Sequence, residues 1–150
     1  PLIQNAHISS CSVSGRNAGG IADYAFVTDI KFCSNRGTTV TGVVNGGGIA
    51  GISYRVVSNC YATKNATALA SAGGIVGKNL ETGNVEWCWC TSSKAVGYSG
   101  DNSSAANNVV SVTRTTNSSA FAGFNTTYWS IASGTGTTFT DQVAYSFPSN

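Results

Sequence analysis

One string returns three times along this chain. Gly-Gly-Ile-Ala stands at residues 19–22 and again at 47–50, and Gly-Gly-Ile-Val follows at 73–76, so the starts lie 28 and 26 residues apart. A second element travels with it: an Ile or Val, two residues, then Cys, written ISSC at 8–11, IKFC at 30–33, VSNC at 57–60 and VEWC at 85–88. Four such matches among five cysteines exceed what chance yields at this Ile and Val content. The chain is therefore read as a repeat before any local motif is weighed.

The pieces between each Gly-Gly and its Cys, such as YAFVTDIKFC and ISYRVVSNC, are rich in β-branched and aromatic residues and bounded by Gly or Asn, as strands are. The stretches after each Cys are small, polar and variable in length, which places insertions in one connection of the repeat. No 3.6-residue apolar period of helical length is present. A unit of this size built from short strands and Gly turns predicts a parallel β-solenoid, with coils stacked at about 4.8 Å and like residues in inward columns. A β-sandwich or jelly roll is the alternative, because regular short strands also describe those folds.

On the solenoid reading, Gly19, Gly20, Gly47, Gly48, Gly73 and Gly74 form tight corners where a Cβ would clash or φ is positive. Cys11, Cys33, Cys60 and Cys88 are expected to form one inward ladder. Adjacent ladder positions would bring Cα atoms within disulfide range, so cross-coil bonds such as Cys11–Cys33 or Cys60–Cys88 are feasible in an oxidising compartment. Cys also behaves as a small buried hydrophobe, so an unpaired ladder is equally consistent.

The second and third copies, GGIAGISYRVVSNCYAT and GGIVGKNLETGNVEWCWCTSS, resemble the GLUG repeat of bacterial cell-surface proteins. The match runs through Gly51, Asn59, Cys60 and Tyr61 in one copy and Gly77 in the next, and covers about residues 5–95. The first copy departs from it, with Asp23 at the Gly position. What the resemblance implies is an extracellular, solenoid-like array of the adhesin type with no catalytic residues to carry over. Residues 1–150 read as one domain, with repeats over 1–95 and an irregular last coil and cap over 96–150.

Charge excludes other classes. Only 9% of residues are Asp, Glu, Lys or Arg, against a usual quarter, and the net charge is +2. No basic patch can neutralise the several phosphates that nucleic-acid affinity requires. No apolar run of about 18 residues offers a membrane helix. The start at Pro1 suggests a processed or truncated chain. A surface of hydroxyls and amides with so little self-repulsion is either covered by glycans or made for contact between copies.

Candidate chemistry is sparse. The segment GGIVGKN lacks the Ser or Thr after Lys78, and the helix, that a phosphate cradle needs. Cys88 and Cys90 would need two more metal ligands, and His7 is the only histidine. No cofactor is expected. A carboxylate pair would have to come from Asp23, Asp29, Glu81, Glu86, Asp101 and Asp141, of which a solenoid can bring Asp29 and Glu86 to one face. A triad built on His7 has less support still.

Glycosylation sequons lie at Asn65, Asn102, Asn117 and Asn125, and the Thr-rich run over 113–140 offers O-glycan positions or a threonine face with irregular spacing. Tyr61, Trp87, Trp89, Tyr128 and Trp129 are the aromatic candidates for contact with glycans or a host protein. The expected function is a non-enzymatic extracellular structural protein whose copies join end to end or by strand exchange into a surface fibre. An adhesin module is the alternative, and a polysaccharide-active β-helix enzyme a weaker one.

Overall fold

The computed structural model describes residues 1–80, 82–92 and 94–99, together with three short strands at 109–111, 129–131 and 143–145. Among the described residues every regular element is a strand, and the strands stack in parallel as a β-solenoid of about three turns.

Each coil visits four sheets in the same order. The first coil is β1 (Leu2–Gln4), β2 (His7–Ser9), β3 (Ser12–Gly19) and β4 (Ala22–Ala25). The second is β5 (Asp29–Lys31), β6 (Ser34–Arg36), β7 (Thr39–Gly47) and β8 (Ala50–Ser53). The third is β9 (Val56–Ser58), β10 (Tyr61–Ala62), β11 (Ser71–Gly73) and β12 (Val76–Asn79). A further turn begins with β13 (Asn84–Glu86) and β14 (Cys88–Cys90), then adds β15 (Val96–Ser99) to the fourth sheet and β16 (Val109–Ser111) to the second. The repeat thus runs past residue 95, since Val96 continues the register of Ala50 and Val76. The last two strands, β17 (Trp129–Ile131) and β18 (Val143–Tyr145), pair antiparallel with each other.

The period of two along each short strand sends alternate side chains inward, and stacking turns them into columns. Ile3, Ile30, Val57 and Val85 are in register in the first sheet. Ile21, Ile49 and Ile75 follow the Gly-Gly corners, each linked to the next coil by its amide. Ile30, Ile49, Val57, Ile75 and Val85 are fully buried, each contributing about 1.5–3 kcal/mol of transfer free energy. A smaller second core joins Val13, Ala18, Val40 and Ala66 where β3 and β7 extend away from the main one.

Two of the corners recur with one geometry from coil to coil. Between the first and second sheets, Asn5, Phe32, Asn59 and Trp87 all adopt left-handed backbone with φ of 52–55°. Between the third and fourth sheets stand the Gly pairs, and crowding, not positive φ, demands Gly there. A Cβ on Gly47 would lie 1.9 Å from the Ala50 carbonyl oxygen and 2.6 Å from the Gly77 nitrogen.

The same crowding explains Gly51, Gly77 and Gly97, which occupy one column where third and fourth sheets approach backbone to backbone. Asp23 stands at that position in the first coil, exposed, and its carboxylate accepts the Gly19 amide at 3.2 Å. The 28-residue spacing between Gly19 and Gly47 also has a local cause. β7 carries an extra residue at a bulge, where the register shifts between Gly15 and Asn17 and Val43 is pushed into solvent.

Candidate functional site

The columns decide where each candidate side chain ends up. Cys33, Cys60 and Cys88 are in register, fully buried, and part of the main core. Their position in the first coil belongs to Ala6, not Cys11. Cys11 is exposed at the next corner, with its sulfur 3.5 Å from the Thr38 hydroxyl, so it leaves the ladder and has no neighbour in Cys33. All five cysteines are free thiols. The Cys33 and Cys60 thiols are pushed well above the ordinary range, Cys33 mainly by its hydrogen bond with Cys60 and Cys60 mainly by burial. Such thiols are inert hydrophobes, not nucleophiles.

Cys90 shares a column with Ile8, Asn35 and Ala62, under the Gly-Gly corners, and its thiol donates to the Ser92 carbonyl at 3.5 Å. Asn35 shows what that column does. Buried, it accepts the Thr38 amide at 2.9 Å and donates to the Gly48 carbonyl at 2.9 Å, tying one corner to the next. Among the described residues no three of His, Cys, Asp and Glu converge as metal ligands.

The packing places the other candidate side chains and corrects two of the aromatic ones. Tyr61 and Trp89 are buried and cannot present rings to a ligand, while Trp87 is 37% exposed at a left-handed corner. Lys78 sits in β12 with its ammonium 5.1 Å from the Tyr98 ring, and among the described residues no helix follows it, as a phosphate cradle would need. Asp29 and Glu86 do face the same side of the first sheet. However, their backbone positions lie two coils and two strand residues apart, and each carboxylate has another partner, Asp29 accepting from Arg55 and Glu86 from the Asn84 side-chain amide at 2.9 Å. Asn65 is exposed in the connection between β10 and β11. Asn102, Asn117, Asn125, Glu81, Asp101, Asp141 and Tyr128 lie outside the described residues, as does the 113–140 threonine run apart from β17, which holds Trp129.

His7 is half-buried, with Nδ1 3.0 Å from the Ser34 hydroxyl. Burial, reinforced by the nearby Arg36 charge, lowers its pKa from 6.5 to about 4, so the ring is neutral at pH 7.

Among the described residues, an exposed constellation with binding character is at a different place. Where the chain turns from the fourth sheet into the next coil, Phe26 and Tyr54 stand at the same repeat position, their rings 5.1 Å apart and edge to face. Tyr24 packs on both, at 6.2 and 5.8 Å. Phe26, Val27, Tyr54, Arg55 and Thr82 line an open groove of about 330 Å³. Three successive coils supply these residues, and the Thr82 hydroxyl donates to the Tyr54 carbonyl at 3.1 Å across the coil boundary. At the rim, Asp29 accepts the Arg55 Nε–H at 3.2 Å and the Val56 amide at 3.3 Å, with Lys31 at 3.8 Å.

The sequence carries a signal for this groove, in that Phe26, Tyr54 and Leu80 each follow their Gly-Gly by the same offset. Aromatics in YAF and ISY are also normal strand residues, which hides them among core candidates.

Comparison with protein-family models, with curated proteins and with solved structures finds no match to this chain.

Proposed function

We propose that this chain is a non-enzymatic structural segment of an extracellular surface protein, extended into a fibre by stacking of further coils from other copies. The observation that carries this reading is the self-complementary stacking of the coils. Each coil accepts the next through the same columns, Ile30 on Val57 on Val85 and Cys33 on Cys60 on Cys88, so a coil of another copy can be received as one of its own. Association of that kind is heterologous, and heterologous contacts propagate as filaments. The weak surface charge removes the usual repulsion between copies. The motifs resembling the GLUG repeat support a cell-surface location.

Negative-stain imaging and light scattering over rising concentration test it. Filaments one solenoid wide are expected, and a monomer that persists at high concentration would count against the reading.

A second reading, adhesion, is favoured by a different observation. Tyr24 and Phe26 are 51% and 56% exposed beside Tyr54 and an arginine, an apolar and aromatic surface of the kind that marks contact sites. Retention of the chain on immobilised glycans, lost in Phe26→Ala, is the corresponding test.

A further inference from the structure

We propose that the groove formed by Phe26, Tyr54, Arg55 and Thr82 binds an acidic saccharide, with a sugar ring seated against the aromatic side chains and its carboxylate on Arg55. The proposal rests on the adhesive reading and is independent of coil stacking.

Three features select this ligand chemistry. The first is the pairing of flat apolar rings with open access. Pyranose rings carry patches of C–H on one face, and an exposed aromatic surface takes them up without a deep cavity. Phe26 and Tyr54 are held by their contact with each other and with Tyr24, so their geometry exists before ligand arrives.

The second feature is charge. Among the described residues, the charged groups at the groove are Arg55, which lines it, and Asp29 and Lys31 at its rim, two cations to one carboxylate. Asp29 engages Arg55 through Nε, and among the described residues the terminal amino groups of the guanidinium make no hydrogen bond. A guanidinium edge fixed at one nitrogen and open at the others fits a carboxylate in a two-pronged geometry.

The third feature is a polar group in the groove lining, beside Tyr54. Thr82 brings a hydroxyl from the following coil, and its bond to the Tyr54 carbonyl holds it in place. A purely apolar peptide would leave the Arg55 edge unpaired, whereas a sugar's carboxylate accepts from Arg55 and a sugar hydroxyl donates to the remaining lone pair of the Thr82 oxygen.

The test uses the full chain with an oligouronate of four to six residues and a neutral oligoglucan of equal length, read by ligand-observed NMR and calorimetry. Saturable binding of the oligouronate is expected, with the neutral oligomer at least about tenfold weaker because the charged bond is absent. Arg55→Gln is expected to lose about tenfold for the oligouronate and to leave the neutral oligomer unchanged, while Phe26→Ala weakens both. Phe26 is more than half exposed, so unchanged circular dichroism and urea midpoints in that variant separate lost contact from lost fold. Equal affinity for the two oligomers overturns the acidic assignment. No binding of either overturns the site as a saccharide site, even if filaments form. If Phe26→Ala dissolves an oligomer while neither sugar binds, the groove is a contact between copies and the proposal fails.

Discussion

The Cys33 amide donates to the sulfur of Cys60, 3.4 Å away on the next coil. The bond sits inside a column in which each thiol also reaches back to the carbonyl two residues before it, Cys33 to Lys31, Cys60 to Ser58 and Cys88 to Glu86, at 3.2–3.3 Å. One local conformation is therefore repeated three times, and stacking keeps it dry. Cys11 stands outside this column.

The consequence is a sharp contrast in reactivity. Attack on a thiol reagent needs thiolate and access, and Cys33, Cys60, Cys88 and Cys90 are fully buried, whereas Cys11 is exposed. Titration of the native protein with an aromatic disulfide reagent at pH 8 is expected to show one fast thiol, lost in Cys11→Ser, and four that react only on unfolding. A second fast thiol would show that the column is not closed.

The corner glycines separate crowding from backbone conformation. At Gly47 a Cβ meets two backbone atoms inside 2.7 Å, which only a shift of the stacked coils relieves, so Gly47→Ala is expected to cost about 3 kcal/mol or prevent folding. Gly37 has open space around it but φ of +81°, and Gly37→Ala is expected to cost about 1 kcal/mol. Urea unfolding of the two variants measures the difference, and equal losses would remove crowding as the cause.

The repeat was legible in the sequence because Gly-Gly and Cys recur at nearly constant spacing, and that spacing is the length of one coil. The register of the first coil was not legible. The string ISSC looks like IKFC, and its third residue, Ser10, does share the left-handed φ of Phe32, at 54° against 55°. It forms the next corner, while the true partner of IKFC is the unremarkable IQNA at 3–6, which has Ala6 where the others have Cys. A local motif specifies a type of corner, and only pairing between coils says which corner it is. The groove was obscured for a related reason. Its residues come from three coils, so no single stretch contains it, and Arg55 gains its role from Asp29, one coil earlier.

That double use of one corner leads to a prediction at Ser10. Left-handed backbone costs a non-Gly residue about 1 kcal/mol, and a β-branched side chain more. Ser10 is exposed, so substitutions there report the backbone with little change in packing. Ser10→Val is expected to lose about 1–2 kcal/mol, and Ser10→Gly to stay within about 0.5 kcal/mol of the parent, because relief of φ offsets the extra freedom of the unfolded chain. Chemical denaturation gives both values, and a Val variant as stable as the parent would contradict the assigned corner.

His7 sets a pH dependence whose sign follows from its surroundings. The folded chain holds the ring at a pKa of about 4, against 6.5 when unfolded, because burial and the Arg36 charge both disfavour the imidazolium. Between those two values the unfolded chain binds a proton that the folded chain refuses, so stability falls as pH drops from about 6.5 toward 4. The loss is complete below pH 4, and above pH 6.5 this residue adds no slope. Carboxylates titrate in the lower part of the same window, so the informative quantity is the difference between the parent and His7→Gln, which keeps a polar group beside Ser34 but takes up no proton. Urea midpoints at pH 7.5, 5.5 and 4.5 are expected to fall more steeply in the parent than in the variant. Parallel curves, or a His7 ring that titrates near 6.5 by NMR, would show that the ring is not held neutral by the coil.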